Sequence, residues 1–238
     1  MRIVKPLVLA IVFNIVLPCP DSWASEECVI VLHGLGRTKW SMYMMERSLR
    51  DEGYVVWNES FPSTDEPVET LASNHIAKGL AYCDEMNTGA VHFVTHSMGG
   101  IMLRQYFQSH SAPQNARAVL LAAPNKGSEI VDLLKEYWVF SASTGPAGKQ
   151  LGTEETSLPN QLAPIDMHIG VIAGTSTSDP WFSSFIQGED DGKVSVESAK
   201  LHEMDDLLVV DSGHTFIMNN PFVIAQTIFF LKYGNFHQ

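Results

Sequence analysis

Val91-His92-Phe93-Val94-Thr95-His96-Ser97-Met98-Gly99-Gly100 is the stretch on which the reading of this chain turns. Val91 to Val94 is an apolar run of strand type, and after Gly100 the residues Ile101, Met102, Leu103, Tyr106 and Phe107 follow a helical pattern. The order is buried strand, tight turn with Ser97 at its tip, then helix. This is the arrangement of a nucleophile elbow, which lifts a serine hydroxyl out of a sheet and demands small neighbours because the turn is crowded. Gly99, two residues on, meets that demand. Thr95, two residues before, places a Cβ where the pattern G-x-S-x-G has glycine, so the backbone there has to accommodate it. On its own the stretch also fits an ordinary strand–helix turn; the rest of the chain decides.

The chain has 238 residues, 45% of them hydrophobic and 18% charged. That suits a single domain with a full core. A formal net charge of −12, with no basic cluster, argues against a nucleic-acid partner.

The first residues read as a targeting segment. Arg2 and Lys5 precede an apolar run from Leu7 to Leu17, interrupted by Asn14; Pro18 and Pro20 break it, and Ser22-Trp23-Ala24 puts small residues at the cleavage positions. This is the layout of a secretory signal peptide, too short for a full membrane span. The expected organisation is a signal peptide over 1–24, cleaved after Ala24, and one domain over 25–238, periplasmic or secreted. Cys19 leaves with the signal, so Cys28 and Cys83 remain. An even pair in an oxidising compartment suggests a disulfide. Cys28 starts a strand and Cys83 ends a helix, both on the side of the sheet away from the strand C-termini. Such a bridge would add roughly 3–4 kcal/mol by the loop-entropy argument.

Along the chain, strands alternate with helices. Val29–Leu32 is a short apolar β run without alternation, as a strand buried on both faces should be, and Tyr54–Trp57 is the next strand. A helix is expected over Ser41–Glu52, with Met44, Met45 and Leu49 on its apolar face and Gly53 as its stop, and another over Pro67–Tyr82. Ala118–Ala122 is a strand, Glu129 to about Tyr137 a helix. From about 139 to 164 the chain is rich in Gly, Ser, Thr and Pro, and is expected to form an irregular cap over the site. His168–Gly174 and Leu207–Val210 are strands, and Phe222–Tyr233 is the closing helix, with Pro221 at its start. The fold class is α/β, with a mainly parallel central sheet and helices on both faces.

A neutral serine hydroxyl is a poor nucleophile and needs a base, and the base needs an orienting group. In open α/β sheets such groups gather at the strand C-termini. His214 lies directly after the last strand, in Asp211-Ser212-Gly213-His214. The acid lies in Glu189-Asp190-Asp191-Gly192, with Asp191 first choice, Asp190 its close competitor and Asp211 third. The oxyanion formed in acyl transfer needs backbone N–H donors. Met98, after the serine and at a helix N-terminus, supplies one; Leu35 in the loop His33-Gly34-Leu35-Gly36 is placed for the other.

Taken together, His33-Gly34-Leu35-Gly36, Thr95-His96-Ser97-Met98-Gly99-Gly100, Asp191-Gly192-Lys193-Val194-Ser195 and Gly213-His214 resemble the α/β-hydrolase superfamily, in particular the lipase/esterase group with an H-G-L loop. The D-G-x-V stretch is similar to the acid turn of bacterial triacylglycerol lipases, which supports Asp191 over Asp190. The resemblance runs from about Cys28 to the C-terminus. It implies Ser97 as nucleophile, His214 as base, Asp191 as acid, and Leu35 and Met98 as oxyanion donors.

The expected activity is that of an exported serine hydrolase cleaving carboxylic esters through an acyl-enzyme. Acyl transfer to an alcohol or lipid acceptor, and a non-catalytic accessory role for the fold, are the alternatives. The expected substrate is a small-molecule or lipid ester, and transient contact with a membrane surface is compatible with it. No cofactor and no metal are called for. Leu35, Met98, Trp181, Phe182 and Phe185 are the candidates for the acyl wall, with core packing the leading alternative for each aromatic.

Overall fold

A computed structural model describes residues 26–177 and 180–237. The signal peptide expected over 1–24, with its cleavage point after Ala24, lies outside the described residues. The strands are β1 (Cys28–Leu32), β2 (Val55–Asn58), β3 (Val91–His96), β4 (Arg117–Leu121), β5 (His168–Gly174) and β6 (Asp206–Val210). They form one parallel sheet in the order β2-β1-β3-β4-β5-β6. The helices are α1 (Tyr43–Asp51), α2 (Val68–Glu85), α3 (Met98–Tyr106), α4 (Glu129–Leu134), α5 (Trp138–Lys149), α6 (Leu158–Gln161), α7 (Pro180–Ser183), α8 (Val196–Ala199) and α9 (Pro221–Tyr233). Among the described residues no helix is long and apolar enough to cross a membrane.

Strands β1, β3 and β4 are buried over almost their whole length, which is why their sequences run apolar without alternation. Successive side chains leave opposite faces of a strand. Ile30, Leu32, Phe93 and Leu120 therefore join one core with α2 and α3, while Val29, Val31, Val94 and Val119 join the other with α1 and α9. Helices thus cover both faces. The strand order reverses between β1 and β3: the chain steps from β1 to β2 on one side, then returns to β3 on the other. The crevice beyond the C-terminal ends of those two strands is where such sheets bind ligands.

Local chemistry accounts for the helix ends. The Asn220 side chain accepts from the Phe222 N–H at 2.9 Å, Pro221 occupies the first turn, and Gly234 closes α9 in the left-handed region at φ 81°. Cys28 and Cys83 form a disulfide with a Cα–Cα distance of 5.8 Å. It joins the first residue of β1 to the last turn of α2, at the opposite end of β1 from the site.

Two expectations need correction. Met44 is not part of the apolar face of the helix after β1: it is exposed, and Met42, Met45 and Leu49 are buried instead. The helix begins with a 3-10 turn, Lys39–Met42, which brings Met42 into register with Met45 and Leu49. The segment 139–164 is less irregular than its composition implies. It holds α5, kinked at Gly145 (φ 63°, ψ −160°), and the single turn α6. Ala147 and Leu151 are anchored in the core, and that burial outweighs the weak helix propensity of the segment. At Gly145 a Cβ would run into the Thr64 carbonyl, so both the backbone conformation and the space require glycine.

Candidate active site

Ser97 sits between β3 and α3 with φ 54° and ψ −123°, a conformation that non-glycine residues rarely adopt. Its N–H donates to the Leu121 carbonyl at 2.9 Å, and its own carbonyl accepts from the Gly100 N–H at 2.9 Å. The strained turn is therefore fastened to β4 and to the first turn of α3. A Cβ on Gly99 would lie 2.8 Å from the Leu32 carbonyl oxygen, so glycine lets α3 close on the end of β1. A Cβ on Gly100 would lie 3.3 Å from Thr95 Oγ1. The room that Thr95 needs is provided by the second glycine of the elbow. The Thr95 hydroxyl is wholly buried and has no hydrogen-bond partner among the described residues.

His214 Nε2 lies 3.0 Å from Ser97 Oγ, and His214 Nδ1 lies 2.8 Å from Asp191 Oδ2. An ionised carboxylate only accepts, so Nδ1 carries the hydrogen and the Nε2 lone pair faces the serine. The backbone of His214 is held at both ends. Its N–H donates to the Asp191 carbonyl at 3.0 Å, and its carbonyl accepts from His96 Nε2 at 3.0 Å. Asp191 Oδ1 accepts from the N–H groups of Lys193 and Val194 at 3.0 and 2.8 Å. Asp190 has other partners: its Oδ1 accepts from Ser183 Oγ and the Gly192 N–H, each at 2.7 Å. It builds the turn that presents Asp191. Asp211 is exposed.

Two further histidines frame the site. Burial pushes the His33 imidazole down to about 4, so it is neutral at physiological pH. The Phe61 N–H donates to its Nε2 at 3.2 Å, which leaves Nδ1–H to donate to the Gly34 carbonyl at 2.9 Å. In a trans peptide the C=O and N–H point in opposite directions. Holding the Gly34 carbonyl toward His33 turns the Leu35 N–H away from that ring, and that N–H has no acceptor among the described residues. The Met98 N–H is at the first position of α3, where no intrahelical acceptor exists. His96 is wholly enclosed; burial, reinforced by the neighbouring His214, holds its pKa well below the ordinary value.

Ser97 and His214 open on a cavity of about 320 Å³. Its apolar walls are Leu35 from the loop after β1, Ile130, Val131 and Leu134 from α4 and its end, Phe140 and Leu151 from the cap, and Phe182 and Val194. Of the expected acyl-wall residues, Leu35 and Phe182 are in place. Met98 is not: its side chain is fully buried in the core. Trp181 and Phe185 are exposed and stand outside the cavity, each about 5 Å, ring to ring, within one small cluster with Phe182 (5.2 Å for Trp181–Phe182, 5.1 Å for Trp181–Phe185). Of the two aromatics on the helical turn α7, only Phe182 is directed inward, and Phe185 lies two residues beyond its end. The walls from α4 and the cap were not singled out in the sequence, although Ile130, Val131 and Leu134 have helical spacing.

Comparison with known proteins agrees with this architecture. A family model described as the alpha/beta hydrolase family matches residues 29–166, and the chain belongs to that family. No curated protein sequence matches it. Among solved structures, the mature form of the lipase BlEst2 from Bacillus licheniformis is similar with a TM-score of 0.68 and 19% identity, covering 90% of this chain and 95% of that one. The metagenomic carboxyl esterase MGS0156 has a TM-score of 0.60 and 17% identity, over 81% of this chain and 65% of its own. Phospholipase PlaB from Legionella pneumophila, in complex with thio-NAD, has a TM-score of 0.61 and 16% identity, over 73% of this chain and 44% of its own. At these identities the likeness is one of fold.

Proposed function

We propose that this protein is an exported serine hydrolase that cleaves carboxylic esters. The observation that carries the reading is the unbroken hydrogen-bonded line Asp191–His214–Ser97 opening on an apolar cavity. Ser97 Oγ attacks the acyl carbon and its proton passes to His214 Nε2. Asp191 stabilises the resulting imidazolium. The N–H groups of Leu35 and Met98 receive the oxyanion, the latter aided by the dipole of α3. Collapse breaks the bond to the alkoxy oxygen, which takes the proton from Nε2 and leaves as an alcohol. Water then attacks the acyl-enzyme as His214 Nε2 takes its proton, and the bond to Ser97 Oγ breaks, Oγ regaining that proton as the acid leaves.

The apolar walls suit an acyl chain better than a polar acyl group. Proteins of like fold are named lipase, carboxyl esterase and phospholipase, which supports the ester class. The signal-like pattern of 1–24 and the Cys28–Cys83 disulfide favour a periplasmic or secreted location. Labelling with a fluorophosphonate probe, followed by a panel of nitrophenyl esters of rising acyl length, tests the reading. Wild-type protein is expected to be labelled and to turn over esters, and Ser97→Ala to do neither. Ester turnover by Ser97→Ala at the wild-type rate would refute it.

A further inference from the structure

Arg37 and Lys193 both border the cavity onto which Ser97 and His214 open. Arg37 stands two residues beyond Leu35 in the loop after β1, and Lys193 two residues beyond Asp191 in the acid turn. The Lys193 side chain is exposed at the rim, and partial desolvation of its ammonium, then the Arg37 charge, lower its pKa while Asp191 pulls the other way. Both cations also count among the groups that keep His96 neutral.

Two like charges at one cavity mouth repel each other, and an anion seated between them would be attracted to both. Lys39, Lys126, Lys135, Lys200 and Lys232 each pair with a glutamate, whereas the exposed Lys78 and Lys149, away from the cavity, have no carboxylate within ion-pairing distance among the described residues. Neither Arg37 nor Lys193 has a carboxylate within ion-pairing distance among the described residues. Asp191, the nearby acid, is already engaged by His214 and by two backbone N–H groups.

We propose that Arg37 and Lys193 form an anion subsite, and that the ester cleaved here carries a phosphate on its alcohol side, as a glycerophospholipid does. The proposal rests on the hydrolase reading and names its substrate class. The apolar walls Ile130, Val131, Leu134, Phe140 and Leu151 offer no partner to a charge on the acyl chain. The cations come instead from the two loops that carry Leu35 and Asp191, and line the same cavity as Ser97 and His214. An acyl chain held among the apolar walls leaves the alcohol facing the cations. The guanidinium fork can take two phosphate oxygens, and the ammonium a third.

The test compares two substrates with the same acyl chains, dioctanoylglycerol and dioctanoyl phosphatidic acid. Wild-type protein is expected to favour the phosphatidic acid by at least about tenfold in kcat/KM, as charge-assisted hydrogen bonds would give. In the double variant Arg37→Gln, Lys193→Gln that ratio falls to near one, and Arg37→Lys, which keeps the charge but loses the fork, retains only part of it. Binding is measured independently by calorimetry on Ser97→Ala, with dioctanoyl phosphatidic acid, glycerol 3-phosphate and inorganic phosphate as probes. Tight binding by the lipid with weak binding by the two small anions identifies a phospholipid site. Equal binding by all three identifies a site for phosphate alone and overturns the lipid assignment. If both lipids are cleaved equally, or the double variant keeps the preference, the subsite is refuted and the hydrolase reading stands. If neither lipid is cleaved but Ser97→Ala binds phosphatidic acid through Arg37 and Lys193, the subsite stands and the hydrolase reading falls. If the lipid is neither cleaved nor bound, the subsite is refuted.

Discussion

His96 Nε2 donates to the backbone carbonyl of His214 at 3.0 Å, so the residue just before the serine holds the residue that faces its hydroxyl. The ring touches no reacting atom; it is a positioning residue. His96→Leu is expected to lower kcat about 10- to 100-fold, because small misplacement of a catalytic group has effects of that size, with little change in KM. His96→Gln keeps an N–H donor and should recover most of kcat. Steady-state kinetics on the two variants decide the matter. Equal losses in both, or a loss confined to KM, would mean that the ring serves only to fill space.

The two adjacent acids should separate by function. Asp191 contacts the His214 ring, whereas Asp190 ties Ser183 and the Gly192 N–H into the turn. Asp191→Asn is expected to lower kcat by about 10⁴, the size of effect seen when the orienting acid of such a trio becomes an amide. Asp190→Asn should lower it by about tenfold or less and act mainly on thermal stability. Kinetics and melting curves of the pair settle which is which, and the reverse ranking would move the acid by one residue.

How far the site could be read from the chain depends on the range of the contacts involved. The elbow is written in neighbours: an apolar β run, Ser97, and glycines at 99 and 100 whose absence of Cβ the packing demands. Asp191-Gly192 and Gly213-His214 were legible because each follows a strand, and strand ends in a parallel sheet share one edge. The bond from His96 to His214 spans 118 residues and leaves no local mark. The helices inside the cap were not legible for a related reason. Its Gly, Ser and Thr content favours loop, while its helices depend on burial of Ala147 and Leu151 against distant elements. Trp181 and Phe185 look like walls by composition, but the single turn α7 presents only Phe182 to the cavity.

The buried histidines predict a stability that declines in mild acid. His33 titrates near 4 in the folded protein because of burial, and burial also lowers His75, His92 and His96. Unfolded, such groups take up a proton near pH 6.5. Between that value and the folded pKa, the unfolded chain binds more protons than the native one, so stability rises with pH across the window and falls on acidification. His33 alone should account for up to about 3 kcal/mol, fully present above pH 6.5 and lost progressively down to about 4. Urea midpoints at pH 7 and pH 4.5 measure the slope. His33→Asn, which does not titrate there, should flatten it; an unchanged slope would exclude His33 as a contributor.

Thr95 offers a stabilising substitution at the centre of the elbow. Its hydroxyl is buried without a partner among the described residues, and an unsatisfied buried donor or acceptor costs about 1–3 kcal/mol. The side chain lies in β3, in register with Leu32 of β1 and Leu120 of β4, and faces the space left by Gly100. Valine has nearly the same shape, suits a strand as well, and replaces the hydroxyl with a methyl. Thr95→Val should therefore raise stability by about 1 kcal/mol and leave the Ser97 backbone where it is. Replacing Thr95 with Gly, the usual residue of the motif, should act in the opposite sense, because it removes packing from a filled core and adds backbone freedom to the unfolded chain. Denaturant unfolding of the two variants measures both signs. A destabilised Thr95→Val would show that the hydroxyl has a partner, such as an enclosed water, and that the threonine is retained for that bond.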